Sequence, residues 1–317
     1  MDRRAFIRLA SALLAAGYFR PALAAAEYVT GHSDVSNFKN VYDDPALRTS
    51  FFSFLKNVYS IYPPDKFHKL IADVTAHNDG DAAIYKALQK RLPDVKTLLG
   101  PVTLQLPTLL HQKNVLSGQV ATLMKGVKET DGYMEIGTTG RYVHGVEKAA
   151  NVKGKIYLLH TVRPQFFSLD DIVDRGQLSR IGKFVDMGDY KKISADDVPD
   201  ESLGLITNFI GFHHAAVEQR DIFIQSVLKK LRPGGRLILR DHDVDSENMR
   251  LIVALAHDVF NCGLNVPWET DFHEVRNFTT IAQIEETLHG FGMTRTGDKL
   301  LQDGDPTQNT LMLYVKT

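Results

Sequence analysis

The spacing of apolar residues changes near residue 130. Over residues 27–126 apolar positions recur at helical spacing, and no run alternates as a half-buried strand would. Leu47, Phe51, Phe54, Leu55 and Val58 make one stripe behind Pro45, a residue suited to the first turn of a helix. Pro63-Pro64-Asp65 opens a second stripe of Phe67, Leu70, Ile71 and Val74. The turn Asn78-Asp79-Gly80-Asp81 precedes Ile84, Ala87, Leu88 and Leu92, and Leu109 to Met124 predicts a further helix. The aromatic set Phe51, Phe52, Phe54, Tyr59 and Tyr62 reads as helix-packing core rather than as the wall of a substrate pocket.

From Gly132 onward, short β-rich runs alternate with helical ones. Strands are predicted at Tyr133–Ile136, Lys155–Leu159 after a turn at Gly154, Phe184–Met187, Leu203–Phe209, Arg236–Arg240 and Thr310–Val315. Helices are predicted at Val143–Ala150, Leu169–Ile181, Asp221–Leu231 and Ile281–His289, with Arg232-Pro233-Gly234-Gly235 as a turn. Strands alternating with helices imply parallel βαβ units in a Rossmann-like doubly wound α/β sheet, preceded by an all-helical N-terminal region. Ligands of such sheets sit at the carboxyl ends of the strands, near the point where strand order reverses.

The first 26 residues carry a different signal. Arg3-Arg4 is followed by Phe6, a short apolar stretch from Leu9 to Phe19, Pro21, and the small-residue sites Ala22-Leu23-Ala24 and Ala24-Ala25-Ala26. That is the layout of a secretory signal, and the arginine pair places it with the twin-arginine type, which implies export machinery as a partner and a periplasmic or exported location. The chain would be cytoplasmic if this segment were not processed. Three segments follow: 1–26 signal, 27–128 helical cap, 129–317 Rossmann-like domain. The 317 residues have a formal charge of −1, are 44% apolar and 24% charged, and include one cysteine, Cys262. Loss of the signal removes four arginines and one aspartate and takes the charge to −4. A single cysteine excludes an intramolecular disulfide framework. Near-zero charge, with no basic patch interleaved with aromatics, argues against nucleic acid as a partner. No apolar run is long enough to span a bilayer.

Candidate chemistry lies at strand ends. Glu135-Ile136-Gly137-Thr138-Thr139-Gly140 is a strand-to-turn junction whose glycines allow close backbone approach to a ligand. Gly188-Asp189-Tyr190 puts a carboxylate after the third strand. Arg240-Asp241-His242-Asp243 puts two acids and a histidine after the fifth, where Asp241 or His242 can act as a general base. His213, His214, Asp241, His242 and Asp243 are metal-ligand types, but no H-E-x-x-H spacing joins them, and no metal is expected.

Asp197-Val198-Pro199-Asp200-Glu201-Ser202-Leu203 running into Ile206-Thr207-Asn208-Phe209-Ile210-Gly211-Phe212-His213-His214, and then Val227-Leu228-Lys229-Lys230-Leu231-Arg232-Pro233-Gly234-Gly235-Arg236-Leu237-Ile238-Leu239, resembles class I S-adenosylmethionine-dependent methyltransferases. The likeness covers about residues 129–317. It implies S-adenosylmethionine as cofactor and a small-molecule methyl acceptor. It implies that Glu135, Gly137, Thr138, Thr139 and Gly140 hold the methionine part. It further implies that Asp189 pairs with the adenine amine, that Asn208 and Phe209 meet the cofactor, and that His213 and His214 fall in the helical segment after strand four. Some methyltransferase-like sequences carry a similar acid-His-Asp with a later aromatic and arginine, as in Phe272-His273-Glu274-Val275-Arg276.

This chain departs from the pattern at several points. Thr139 and Arg141 stand where the glycine loop has further glycines, or the loop is one residue short. The second strand ends Leu159-His160-Thr161, with no carboxylate before Asp170 to grip ribose hydroxyls, and Gly204 replaces the acid of strand four. An exported binding protein that keeps the fold without the catalysis therefore stands beside the methyltransferase. A nicotinamide-dependent oxidoreductase is disfavoured by the lack of G-x-G-x-x-G after the first strand.

Overall fold

The computed structural model describes residues 36–59, 61–96, 106–164 and 182–317. The signal segment, Asp170 and the helix predicted over 169–181 lie outside the described residues.

The N-terminal part is helical, as its periodicity predicts. Helices α1 (Asn37–Asp43), α2 (Pro45–Phe54), α3 (Pro64–His77), α4 (Asp81–Val95) and α5 (Leu106–Leu123) follow one another, and α2 runs on as a π-helical turn, Leu55–Tyr59. Asp44 caps α2 by accepting from the N–H groups of Ala46 and Leu47, with Pro45 in the first turn where no donor is missed.

The main core partner of these helices comes from far along the chain. Helix α8 (Glu247–Gly263), which the sequence reading missed, buries Leu251, Ile252, Leu255 and Val259 in one cluster with Phe38, Phe51, Leu55, Phe67, Ile71 and Leu88. The aromatic stripe is core in the main, with Phe51, Phe54, Tyr59 and Tyr62 all buried, but Phe54 and Tyr59 also form part of a cavity wall, which corrects the expectation that none of them would. The Tyr59 and Tyr62 hydroxyls donate to the carbonyls of Val259 and Gly263 at 3.4 and 2.9 Å, which meets the polar requirement of buried tyrosines.

The second part is a seven-stranded sheet. Its strands are β1 (Thr130–Ile136), β2 (Val152–His160), β3 (Lys183–Asp186), β4 (Leu203–Asn208), β5 (Leu231–His242), β6 (Met293–Leu300) and β7 (Asn309–Lys316), in the order β3-β2-β1-β4-β5-β7-β6. The first five are parallel, and β7 enters antiparallel between β5 and β6. Around them lie α6 (Val143–Ala150), α7 (Val217–Leu228) and α10 (Ile281–Gly290), whereas α9 (Trp268–Phe272) packs with α8 and α4 of the helical part. This is the Rossmann-like doubly wound α/β sheet that the sequence predicts, with one antiparallel strand added. β4 is buried along its whole length, as a central strand covered on both faces must be.

Several boundaries differ from expectation. Gly154, predicted as a turn, lies inside β2, at a bulge where the register with β1 slips between Asp131 and Tyr133. Helix α7 begins four residues before Asp221 and ends at Leu228, so Leu231 opens β5. The Arg232–Gly235 turn survives as an irregularity within β5: Leu203 pairs with Leu231, but Leu205 pairs with Arg236. β5 runs on to His242, so Asp241 and His242 are strand residues. β6 has no counterpart among the predicted strands. Its sequence, MTRTGDKL, is almost wholly exposed at the sheet edge and carries no apolar alternation.

Candidate active site

The strand order reverses between β1 and β4, and the loop leaving β1 is braced from inside. Glu135, fully buried near the end of β1, accepts from the Thr138 hydroxyl, from the Tyr142 N–H at 3.2 Å and from the Tyr133 hydroxyl at 2.9 Å. Thr138 Oγ1 in turn accepts the N–H groups of Gly140 and Arg141, both at 3.1 Å. Burial pushes the Glu135 carboxyl above its ordinary range, and the bonds from Thr138, Tyr142 and Tyr133 pull it partly back. Gly137 has φ +83°, and a Cβ there would run into the Ile210 side chain, so only glycine lets the loop after β4 close over it. Thr139 is buried, and its hydroxyl has no hydrogen-bond partner among the described residues.

The ends of β4 and β5 form the opposite side. Asn208 is spent on its own turn: its amide donates to Gly211 O at 2.9 Å and its carbonyl accepts from Ile210 N at 3.2 Å. Phe209 packs edge-on against Tyr142, ring centroids 5.0 Å apart. Asp241 is buried and accepts from Phe212 N at 2.8 Å and His242 N at 2.9 Å, with His213 Nδ1 at 2.6 Å. Its oxygens are thus committed to holding the loop after β4. His242 Nδ1 meets Thr307 O at 2.9 Å, and a carbonyl can only accept, so the ring proton sits on Nδ1 and Nε2 carries the lone pair.

His213 and His214 lie in the loop before α7, not in a helical segment, which corrects the expectation for that pair. The loop brings them against His257 of α8, a residue the sequence reading did not single out. Ring centroids of His213 and His242 are each 5.6 Å or less from that of His257. Burial lowers the pKa of His213, His214, His242 and His257 alike, so the cluster is held neutral. The detectable signal in the sequence is His257-Asp258 interrupting an otherwise apolar helical run: polar residues are seldom buried unless something pairs with them.

Behind the histidines lies Arg276, fully buried, with Asp258 at 2.5 Å, Asp271 at 2.8 Å and Glu274 at 2.9 Å. Burial alone would lower its pKa, but Asp271, Asp258 and Glu274 outweigh that and keep it charged. It is a structural ion cluster between α8 and α9 rather than a cavity-facing group.

A cavity of about 190 Å³ opens between these parts. Gly137, Thr138, Phe209 and His242 line it from the sheet side, His257 from α8, and Phe54, Tyr59 and Leu109 from the helical part. Of the predicted site residues, the structure brings the Glu135–Gly140 loop, Phe209 and His242 to one place. Asp241 acts behind them. Asp189 stands at the end of β3, beyond β2, next to a turn in which Gly188 N donates to Asp186 at 2.8 Å. His160, buried at the end of β2, accepts from Val162 N at 2.9 Å through Nδ1.

No family model matches the chain, and no curated protein matches it. Among solved structures, it is similar to a Burkholderia thailandensis 1,6-didemethyltoxoflavin-N1-methyltransferase solved with 1,6-didemethyltoxoflavin and S-adenosylhomocysteine. The two are 10% identical with a TM-score of 0.43, over 67% of this chain and 84% of that one. It is also similar to the N-methyltransferase NodS of Bradyrhizobium japonicum, 13% identical with a TM-score of 0.41, over 64% of this chain and 96% of that one. These likenesses are distant.

Proposed function

We propose that this protein is an exported S-adenosylmethionine-dependent methyltransferase acting on a small molecule. The observation that carries the reading is the Glu135-braced glycine loop, set where strand order reverses and opening on a cavity that the helical part closes. When bound, the cofactor supplies a sulfonium methyl to an acceptor nucleophile. The chain's own contribution is mainly placement. Glu135 fixes the loop, Tyr142 and Phe209 give an apolar wall, and the helical part excludes water. His242, neutral and with its Nε2 lone pair free of the Thr307 contact, takes a proton from an acceptor that must lose one. Asp189 accepts from the adenine amine, and His160 occupies the position where a ribose-binding acid is usual.

The second reading, a binding protein that keeps the fold without catalysis, draws on two observations: His160 in that position, and Ile210 packed over Gly137. Calorimetric titration of the mature protein with S-adenosylmethionine, its demethylated product and NAD decides between them. Binding of the first two and not of NAD is expected. No binding of either at millimolar concentration overturns the methyltransferase reading. Export is tested separately: replacing Arg3 and Arg4 by lysine should trap precursor inside the cell, and unchanged export removes the twin-arginine assignment.

A further inference from the structure

His213 and His257 face each other through their Nε2 atoms, 3.3 Å apart. Their other ring nitrogens are already committed. His257 Nδ1 lies 2.9 Å from the carbonyl oxygen of Val253, which can only accept. His213 Nδ1 lies 2.6 Å from Asp241, which already accepts two backbone N–H groups and accepts here as well. Both ring protons are therefore on Nδ1, and both Nε2 atoms present lone pairs to one another. Two lone pairs at that distance repel unless a proton or a cation lies between them.

The geometry distinguishes these two occupants. Zinc binds imidazole nitrogen at about 2.0–2.1 Å in tetrahedral sites, which sets neighbouring ligand nitrogens about 3.3–3.4 Å apart. His213 and His257 already have that separation. His214 supplies a third ring, and one nitrogen from each of the three lies within 4.8 Å of the others, so the third must close by roughly 1 Å or a little more to reach that tetrahedral spacing. Asp241 on His213 and the Val253 carbonyl on His257 are the outer partners that orient metal-binding imidazoles. The charge around the site suits a cation too. Arg276 pairs with Asp258, Asp271 and Glu274, Asp241 adds a fourth carboxylate, and Arg240 is matched by Asp305 at 3.9 Å.

We propose that His213, His214 and His257 bind a divalent transition-metal ion of the zinc class, with its fourth position open to the cavity beside His242. Three neutral imidazoles with an open position form a donor set typical of zinc and its neighbours rather than of magnesium or calcium. The site requires no S-adenosylmethionine, so it stands or falls apart from the methyltransferase reading.

The test uses the chelator-treated full chain without any nucleoside ligand. Zinc is titrated by calorimetry against a chromogenic competitor, and cobalt(II) is used as a visible reporter of coordination number. One zinc per chain and the intense cobalt absorption of a four-coordinate site are expected. His213→Gln and His257→Gln should each weaken zinc binding at least 100-fold. Asp241→Asn, which weakens the hold on His213 Nδ1 while keeping an oxygen for the Phe212 and His242 N–H groups, should weaken it about 10- to 100-fold. Less than one equivalent bound by the parent protein, or a His257→Gln variant that binds zinc as the parent does, overturns the proposal. The parent stoichiometry decides the question even if a variant fails to fold.

Discussion

Glu135 offers the sharpest test of how the β1 loop is built. Replacing it by alanine strips one acceptor group from three buried or half-buried donors: the Thr138 hydroxyl, the Tyr142 N–H and the Tyr133 hydroxyl. Tyr133 keeps its contact with Thr207 at 2.7 Å, so it loses least. An unsatisfied buried donor costs about 1–3 kcal/mol. Two fully stranded donors and the emptied side-chain volume together put Glu135→Ala at roughly 3–5 kcal/mol of lost stability. For a domain of this size that is a fall in Tm on the order of 10 °C. Glu135→Gln keeps an oxygen for Thr138 and Tyr142 and turns an amide toward Tyr133, whose hydroxyl can accept while donating to Thr207. Its cost should stay near 1 kcal/mol. The parent and the glutamine variant also differ in pH dependence. Because burial raises the Glu135 pKa in the folded state, the parent binds that proton more tightly folded than unfolded, and loses the associated stability as pH rises through the folded pKa. The glutamine variant lacks that loss, so its deficit relative to the parent should shrink as pH rises. Thermal unfolding followed by circular dichroism between pH 5 and pH 8 measures both. An alanine variant within 1 kcal/mol of the parent would show that the bracing does not hold the loop.

Three other outcomes follow from the same structure. The four buried histidines have lowered pKa values, so the unfolded chain binds more protons below about pH 6.5, and stability present above that pH should be lost as pH falls toward the folded values, by up to ~1.4 kcal/mol per unit for each histidine. A metal-free chain whose Tm is flat from pH 7 to pH 5 would contradict this. Arg276→Met should cost roughly 3–5 kcal/mol in urea unfolding, because it leaves Asp258 and Asp271 buried without a counter-charge, and Arg276→Lys should recover only part, since one ammonium cannot reproduce the fork that serves three carboxylates. Asp189→Ala should raise the dissociation constants for S-adenosylmethionine and its demethylated product together, about 10- to 100-fold, as loss of a charge-assisted hydrogen bond of ~1.5–3 kcal/mol requires, whereas a plain loop carboxylate would leave both unchanged.

Local pattern alone determined much of this protein. The change from helical to alternating spacing near residue 130 fixes the order of the elements, because amphipathic period is set by the geometry of the backbone itself. The Glu135–Gly140 junction and the turn-bounded β5 run were legible because strand ends at glycine are written in consecutive residues. Elements without an apolar rhythm were not legible. β6 is polar on nearly every position because an exposed edge strand buries almost nothing, and α8 is buried on nearly every face from Leu251 on because it is enclosed by both halves of the chain. What only the tertiary structure decided is who meets whom. His213 and His257 are 44 residues apart, and they touch because α8 leaves the sheet domain to become the central core helix of the N-terminal part. Asp241 looked like a base beside His242 in sequence, but alternation along β5 turns its carboxylate back into the loop after β4 while His242 faces the cavity. Neighbours in sequence point to opposite faces of a strand, and residues far apart are joined only by packing, so the chemistry of the site could be read only after the chain had folded.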